Sequence, residues 1–207
     1  MVIILQSDVI KRFLDLAIAA VGLLILSPVL AILALLILLT MGRPVLFHQA
    51  RAGLCGQPFT LHKLRTMKNP APGVTASADE KRLTPLGAFL RDTSLDELPE
   101  LLNVLRGEMS LVGPRPLLMS YNARYDAEQA RRLTVRPGLT GWAQINGRNN
   151  LSWEARFALD VWYVDHWSLR LDLKILGLTI LKVIKRDGVH AREGLTMPEF
   201  TGSIEHR

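Results

Sequence analysis

The chain has 207 residues, enough for one domain with a substantial core. Its 25 Lys and Arg against 19 Asp and Glu leave a formal charge of +6, which suits an anionic partner: nucleic acid, anionic lipid or a phosphorylated small molecule. The single cysteine, Cys55, excludes an intrachain disulfide and a cysteine-built zinc cluster, and points to a cytoplasmic face for the soluble part.

From Leu16 to Leu39, "LAIAAVGLLILSPVLAILALLILL", no residue is charged. The run exceeds the roughly 18 residues that mark a membrane segment and the ~7–15 of a cleavable signal core, so it reads as a retained membrane helix. Lys11 and Arg12 precede it and Arg43 and Arg51 follow it, so flanking charge gives no orientation. Ser27-Pro28 near the middle either kinks the helix and returns it to its face of entry, or is a tolerated proline in a straight-through span. The residues alone lean to the span. Asp15, close to the membrane edge, pairs with Arg12 or faces water.

Beyond it, "PVLFHQ" and "PFTLHKLRT" flank "RAGLCGQ" as an irregular β-hairpin within residues 43–67. Residues 68–79, "KNPAPGVTASAD", are turn-rich and suit a mobile loop. "LTPLGAFLRDTS" makes a short helix, and Leu98, Leu101, Leu102 and Leu105 recur at helical spacing in a second that stops near Gly107. "MSLVGPRP" is a short strand or extended turn, and residues 120–134 form a charged helix with a solvent face. "VRPGLTGWAQINGRN" is turn-rich. Helices follow over residues 152–166 and 169–188, the latter amphipathic and basic, fit equally for covering a core or lying on a membrane surface. Trp153, Trp162 and Trp167 suit an interfacial belt.

The stretch "RDTSLDELPELLNVLRGEMSLVGPRP", residues 91–116, sets Asp96 beside Glu97 just ahead of an apolar helical pattern. Ser94-x-x-Glu97 fits a capping box, with Asp96 favourably placed in the first turn, and spacing alone favours that structural role over catalysis. The neighbouring cations weigh the other way. Lys63 and Arg65 lie in "LHKLRTM", Arg91 just upstream, Arg115 between two prolines in "GPRP", and Arg136 and Arg148 bracket "RPGLTGWAQINGR". Guanidinium groups beside Pro and Gly supply forked donors on a restricted backbone, as phosphate recognition requires. Taken singly, each is a surface charge or an ion pair; together they suggest a shaped polyanion site. Nucleic acid stays an alternative on charge alone, against which no nucleic-acid module is recognisable and few basic residues come in runs.

On "KRFLDL" at Lys11, the Ser27-Pro28 pair, "KLRTM" at 63–67, "TSLDELPELLNVLRGEMSLVGPRP" at 93–116 and "RPGLTGWAQINGR" at 136–148, the chain resembles the bacterial sugar transferases, the monotopic polyprenyl-phosphate phosphoglycosyl transferases, in their short form. The likeness covers almost everything from Lys11 to about Gly188. It implies an α+β, mainly helical fold: an N-terminal re-entrant membrane helix broken at Ser27-Pro28, a small β-hairpin and amphipathic interfacial helices. The implied division is a membrane anchor over 1–42, a cytoplasmic membrane-associated catalytic domain over 43–190 and a tail over 191–207. The re-entrant helix replaces the residue-level preference for a span.

The resemblance also implies a catalytic Asp96-Glu97 dyad, Mg²⁺ on Glu97 and Asp96, a nucleotide diphosphate sugar and a polyprenyl phosphate, typically undecaprenyl phosphate. Asp96 would attack the sugar-bearing phosphorus, expelling nucleoside monophosphate, and polyprenyl phosphate would then take the phosphosugar in a ping-pong sequence. Glu97 would position Mg²⁺ or handle protons. Arg115 is the leading phosphate clamp, followed by Lys63, Arg65, Arg136 and Arg148, while Arg91 either binds phosphate or holds the dyad. The expected setting is the cytoplasmic face of the bacterial inner membrane, among membrane lipids, at the first membrane step of glycan, exopolysaccharide or lipopolysaccharide synthesis, with homo-oligomerisation open. The rivals are a membrane-bound phosphohydrolase using water as acceptor and a non-catalytic anionic-lipid-binding scaffold.

Overall fold

Val2–Met41 form a single helix, α1, in a computed structural model that describes residues 2–69, 82–147, 151–185 and 199–202. Arg148, Arg186 and nearly all of the turn-rich 68–79 segment lie outside the described residues, as does most of the 191–207 tail. The helix is not divided at Ser27-Pro28, where the sequence suggested a break. Pro28 has no N–H for the Leu24 carbonyl, and Ser27 Oγ donates to that carbonyl at 2.8 Å, so the acceptor left over by proline is satisfied within the helix. Within Val9–Met41 only 11% of the most apolar window is buried, which excludes a core helix. Phe13, Val21, Leu24, Ile25, Ile32 and Leu39 are exposed, while Ala19, Leu33 and Ile37 pack inward. Burying a side chain such as Ile37 contributes about 2 kcal/mol.

Both ends of α1 are fastened to the rest of the chain. Lys11 Nζ reaches Asp172 at 2.5 Å and the Val112 carbonyl at 3.2 Å. Asp15 does not face water: it is buried, close enough to Arg12 for its charge to favour that guanidinium's protonated form, and its carboxylate accepts from the Leu111 N–H at 3.2 Å. At the far end, Arg65 donates to the carbonyls of Met41 at 2.7 Å, Gly42 at 2.5 Å and Arg43 at 3.1 Å. These are the orphan acceptors of a helix C-terminus, where a cation is also favoured by the helix dipole.

The hairpin forms as the alternation suggests. β1 (Leu46–Ala52) pairs antiparallel with β2 (Pro58–Leu64), with Leu46 opposite Leu64 and Ala52 opposite Pro58. α2 (Pro85–Asp92) starts at Thr84, whose hydroxyl accepts from the Gly87 N–H at 2.9 Å. α2 lies so close to the Thr66 backbone that a Cβ at Gly87 would sit 1.8 Å from the Thr66 carbonyl oxygen. α3 (Glu100–Arg106) ends at Gly107, whose φ of 85° closes the helix at low steric cost. Asn103 on α3 rivets the helix to β2, giving its amide to the Thr60 carbonyl at 2.7 Å and accepting from the His62 N–H at 3.2 Å.

β3 (Ser110–Val112) pairs in parallel with β4 (Gly138–Thr140). Two sequence motifs are thereby joined: the Gly113 N–H bonds the Thr140 carbonyl and the Gly138 N–H bonds the Pro114 carbonyl, each at 2.9 Å. A Cβ on Gly138 would meet the Gly113 nitrogen at 2.0 Å, so only glycine allows this approach. Residues 120–134 are not one solvated helix. They comprise a 3₁₀ turn (Met119–Arg124), the short α4 (Ala127–Ala130) and a second 3₁₀ turn (Arg131–Thr134), in which Arg132 is buried. α5 (Trp142–Asn146), α6 (Trp153–Asp165) and α7 (Leu169–Lys185) complete the described fold.

α7 covers the core through Ile175, which is fully buried, and leaves Leu173, Ile180 and Leu181 exposed. The tryptophans have separate surroundings. Trp153 packs with Phe157, Trp162 stacks on Trp142, and Trp167 bonds Asp172. Phe200, from the tail, is buried beside Tyr121 and Phe157.

Candidate active site

Ser94 does not cap a helix with its side chain. Its φ is 56°, in the left-handed region, and its hydroxyl makes no capping bond; the next residues form a single 3₁₀ turn, Leu95–Glu97. Glu97, which the capping box would send back to the Ser94 backbone, points instead at two cations. Lys63 Nζ lies 2.6 Å and Arg115 Nη2 2.7 Å from the same oxygen, Oε1. The tight turn separates the adjacent acids: Leu95 packs beside Leu33, Ile37 and Leu64, leaving Asp96 and Glu97 on the polar side.

Lys63 continues the inward face of β2 set by buried Phe59 and Leu61. An inward lysine needs a counter-charge, and here it has two, Glu97 and, at 3.1 Å, Glu100. Sequence reasoning missed Glu100. An acid in the first turn of a helix reads as a response to the helix dipole, yet this one is 3% exposed. Arg115 leans on the β3–β4 junction, where prolines and glycines fix its backbone, and its side chain keeps 38% exposure, so a ligand can reach it.

The three carboxyls are tuned apart. Burial and then the Glu97 charge push Asp96 up to about 6, against the pull of Lys63, Arg115 and Arg91. Burial also works against Glu97, but Arg115 and Lys63 overcome it and hold that carboxyl well below the usual range. Burial and the Glu97 charge push Glu100 up to about 7. Arg115 is held more firmly protonated than usual, chiefly by Glu97. Glu97 is thus a permanent anion clamped between cations. Asp96, whose side chain makes no hydrogen bond among the described residues, is a buried carboxyl that ionises near neutrality.

The remaining cations named from sequence fall in different places. Arg91 donates from Nε to Thr66 Oγ1 at 3.0 Å and is close enough to Asp96 to pull its pKa down. Arg65 lies at the end of α1, its guanidinium engaged by three backbone carbonyls and by Asn69 Oδ1 at 3.0 Å. Arg136 donates from Nε to the Gly107 carbonyl at 2.9 Å, at the end of α3. Among the described residues, no group of three or more His, Cys, Asp or Glu is arranged to hold a metal ion by itself.

One functional contact had no clear sequence signal. Arg132 is 2% exposed and binds Asp160 through Nε at 3.0 Å and Nη2 at 2.8 Å. Nη2 also donates to the Arg115 carbonyl at 2.7 Å, fixing the main chain from which the site arginine extends. Arg132 was hidden in a charged run that reads as solvated. Asp160 was the available clue: it stands among inward-facing Phe157, Val161 and Tyr163, where a buried acid must have a partner.

The chain is 52% identical over 197 residues to the uncharacterised sugar transferase EpsL of Bacillus subtilis, an alignment covering 94% of this chain and 97% of that protein. It is 43% identical over 194 residues to the UDP-glucose:undecaprenyl-phosphate glucose-1-phosphate transferase of Caulobacter vibrioides, covering 88% of this chain and 73% of the relative. The enzyme of the same name from Escherichia coli is 42% identical over 187 residues, 85% of this chain and 40% of that longer protein. Residues 6–186 match the bacterial sugar transferase family, and the chain belongs to it.

Proposed function

We propose that this protein transfers a sugar phosphate from a nucleotide diphosphate sugar, a UDP-sugar, to undecaprenyl phosphate, releasing nucleoside monophosphate in the first membrane step of glycan synthesis. Two of its relatives are named for moving glucose-1-phosphate from UDP-glucose to undecaprenyl phosphate. The observation that carries the reading is the division between the adjacent acids: Glu97 is held by Lys63 and Arg115, while Asp96 is buried beside them without such a clamp.

The chemistry follows from that division. An ionised Asp96 oxygen forms a bond to the sugar-bearing phosphorus as the bond from that phosphorus to the nucleotide's bridging oxygen breaks. Nucleoside monophosphate leaves with the electron pair, and an aspartyl acyl phosphate carrying the sugar remains. An oxygen of undecaprenyl phosphate then attacks the same phosphorus, and Asp96 departs as the carboxylate. Arg115 and Lys63, already gathered by Glu97, neutralise the phosphate oxygens in both steps without reorganising. Glu97 is a positioning anion in this scheme, and Asp96 the nucleophile.

The residues present fit magnesium in one mode. Mg²⁺ binds through one or two carboxylates and completes its shell with water and substrate phosphates, so a three-ligand protein cage is unnecessary. Asp96 is the available oxygen donor, while Glu97 Oε1 is committed to two cations. A bound Mg²⁺ would supply further neutralisation of the diphosphate. Arg65 and Arg136 we assign to holding the ends of α1 and α3 rather than to substrate.

For the membrane arrangement we favour entry and return of α1 on one face, with the 43–190 region on the cytoplasmic side. From Lys11 to Met41 a straight helix would run about 45 Å, more than the ~30 Å hydrocarbon layer. Yet Lys11 bonds to α7 and the Met41 carbonyl to Arg65, so a crossing would draw part of one charged domain into lipid. The bend belongs at Ser27-Pro28, where one backbone hydrogen bond is missing.

A panel of nucleotide sugars, read by nucleoside monophosphate release with and without undecaprenyl phosphate, tests the assignment. Lipid-linked product only when both substrates are present supports it. Free sugar phosphate without any lipid product would favour the phosphohydrolase, and no release from any donor would favour the scaffold.

A further inference from the structure

The tail meets the rest of the fold at Phe200 and is held there by side chain and main chain together. The ring is 2% exposed and sits among four aromatic rings. Its centroid lies 5.0 Å from that of Phe157, 5.6 Å from Tyr121, 5.7 Å from Trp153 and 5.9 Å from Tyr125. The Phe200 N–H donates to the Tyr121 hydroxyl at 3.2 Å, and its carbonyl accepts from Arg124, which also pairs with Glu199 at 2.8 Å. A buried ring with both backbone groups satisfied is a docked element of the fold.

Two paths lead from this ring to Arg115. The first is short: Leu117 lies in the same buried cluster as Phe200, and Leu118 packs against it, both just beyond Arg115-Pro116. The second runs through Arg132. Phe157 and Tyr125, which pack on the Phe200 ring, also flank the Arg132 guanidinium, with its central carbon 5.6 Å and 5.8 Å from their centroids. The Tyr125 hydroxyl accepts from Arg132 Nη1 at 3.3 Å, and Arg132 Nη2 donates to the Arg115 carbonyl at 2.7 Å. Removing the Phe200 ring would leave a cavity in this cluster, which its neighbours can close only by shifting. The neighbours that would shift are the ones that fix the Arg115 main chain.

We propose that Phe200 is a positioning residue for Arg115: the docked tail braces the Arg132 side chain and the Leu117 segment, and so keeps the Arg115 guanidinium at Glu97 and ready for a substrate phosphate. Phe200 touches no substrate in this scheme and acts only through Arg115. The proposal rests on the phosphotransfer reading for the part Arg115 plays, and on the packing alone for the bracing.

Residue-resolved amide hydrogen exchange on the full-length protein tests the bracing without turnover. Phe200→Ala should speed exchange at least tenfold at Arg115, Leu117 and Leu118 while the β2 amides keep their rates. Unchanged exchange at those three residues, or an equal rise throughout the protein, would overturn the bracing. In nucleoside monophosphate release, Phe200→Ala should raise KM for nucleotide sugar at least fivefold. The same substitution made on Arg115→Gln should add nothing further, because a residue that acts through Arg115 then has nothing left to position. The full fivefold increment in both backgrounds would overturn the assignment to Arg115. Phe200→Leu keeps apolar bulk and should fall between the two proteins in both measurements, and it carries the test if the alanine protein does not fold. An unaltered protein that shows the exchange pattern yet transfers no phosphosugar would sink the reaction and leave the bracing standing.

Discussion

Arg115 reaches across to Glu97 at 2.7 Å, and Glu97 rather than Asp96 is the acid it clamps. Adjacent in sequence, the two carboxylates are separated in role by the 3₁₀ turn that carries them. The same relationship makes their substitutions distinguishable.

Asp96→Asn removes the attacking oxygen while keeping shape, and should reduce both half-reactions by at least about a thousandfold with little change in melting temperature. Glu97→Gln should lower activity and also stability, by about 1–3 kcal/mol, since Arg115 and Lys63 lose a buried partner although Glu100 still meets Lys63. Thermal melts beside single-turnover rates separate the two patterns; equal destabilisation by both substitutions would contradict the division of roles.

Asp96 must be ionised to attack, and burial with the Glu97 charge sets its pKa at about 6. The first half-reaction should therefore rise with pH through about 6 and level above it. Glu97→Gln removes a charge that raises Asp96, so the rising limb of its residual activity should move to lower pH. Glu100→Gln leaves the Glu97 charge beside Asp96, so its rising limb should lie closer to that of the unaltered protein than the Glu97→Gln limb does. A pH series of nucleoside monophosphate release in the three proteins is the measurement.

Ser94 provides a direct contrast between two accounts of one motif. A capping box would make Ser94→Ala cost about 1 kcal/mol. With Ser94 left-handed and its hydroxyl not capping, alanine should cost only a few tenths, and Ser94→Gly should stabilise by up to about 1 kcal/mol. Denaturant midpoints would decide between them.

Gly138→Ala should separate the two halves of the Arg115 support. The added Cβ would meet the Gly113 nitrogen at 2.0 Å, so β3 and β4 must move apart. Loss of stability should be accompanied by a raised KM for nucleotide sugar in whatever protein remains folded. Full activity with an unchanged KM would show that the β3–β4 junction does not position Arg115.

The hairpin was legible because alternation, turn residues and strand length agree over 46–64, α2 because Thr-Pro precedes a short apolar stretch, and α3 because apolar spacing and a terminal glycine agree. The acids were legible as important, but the local motif pointed Glu97 at the wrong partner. A capping box involves four neighbouring residues, whereas the contacts that prevailed come from Lys63 and Arg115, far away in the chain and stronger because both partners are charged. Arg65 and Arg136 illustrate the reverse: a cation in a short motif such as "KLRTM" or "RPG" looks made for phosphate, yet helix C-termini offer carbonyl oxygens to the same donors. Arg132 was invisible, since nothing in a charged run distinguishes the one side chain that turns inward.

The most direct test of the central claim is the intact mass of the protein after exposure to a turned-over nucleotide sugar without polyprenyl phosphate, followed by peptide mapping. The account predicts a mass increase of one phosphosugar, located on the peptide containing Asp96, absent from Asp96→Asn and discharged when undecaprenyl phosphate is added. Lipid-linked product formed at full rate with no such adduct, or an adduct that persists in Asp96→Asn, would contradict it.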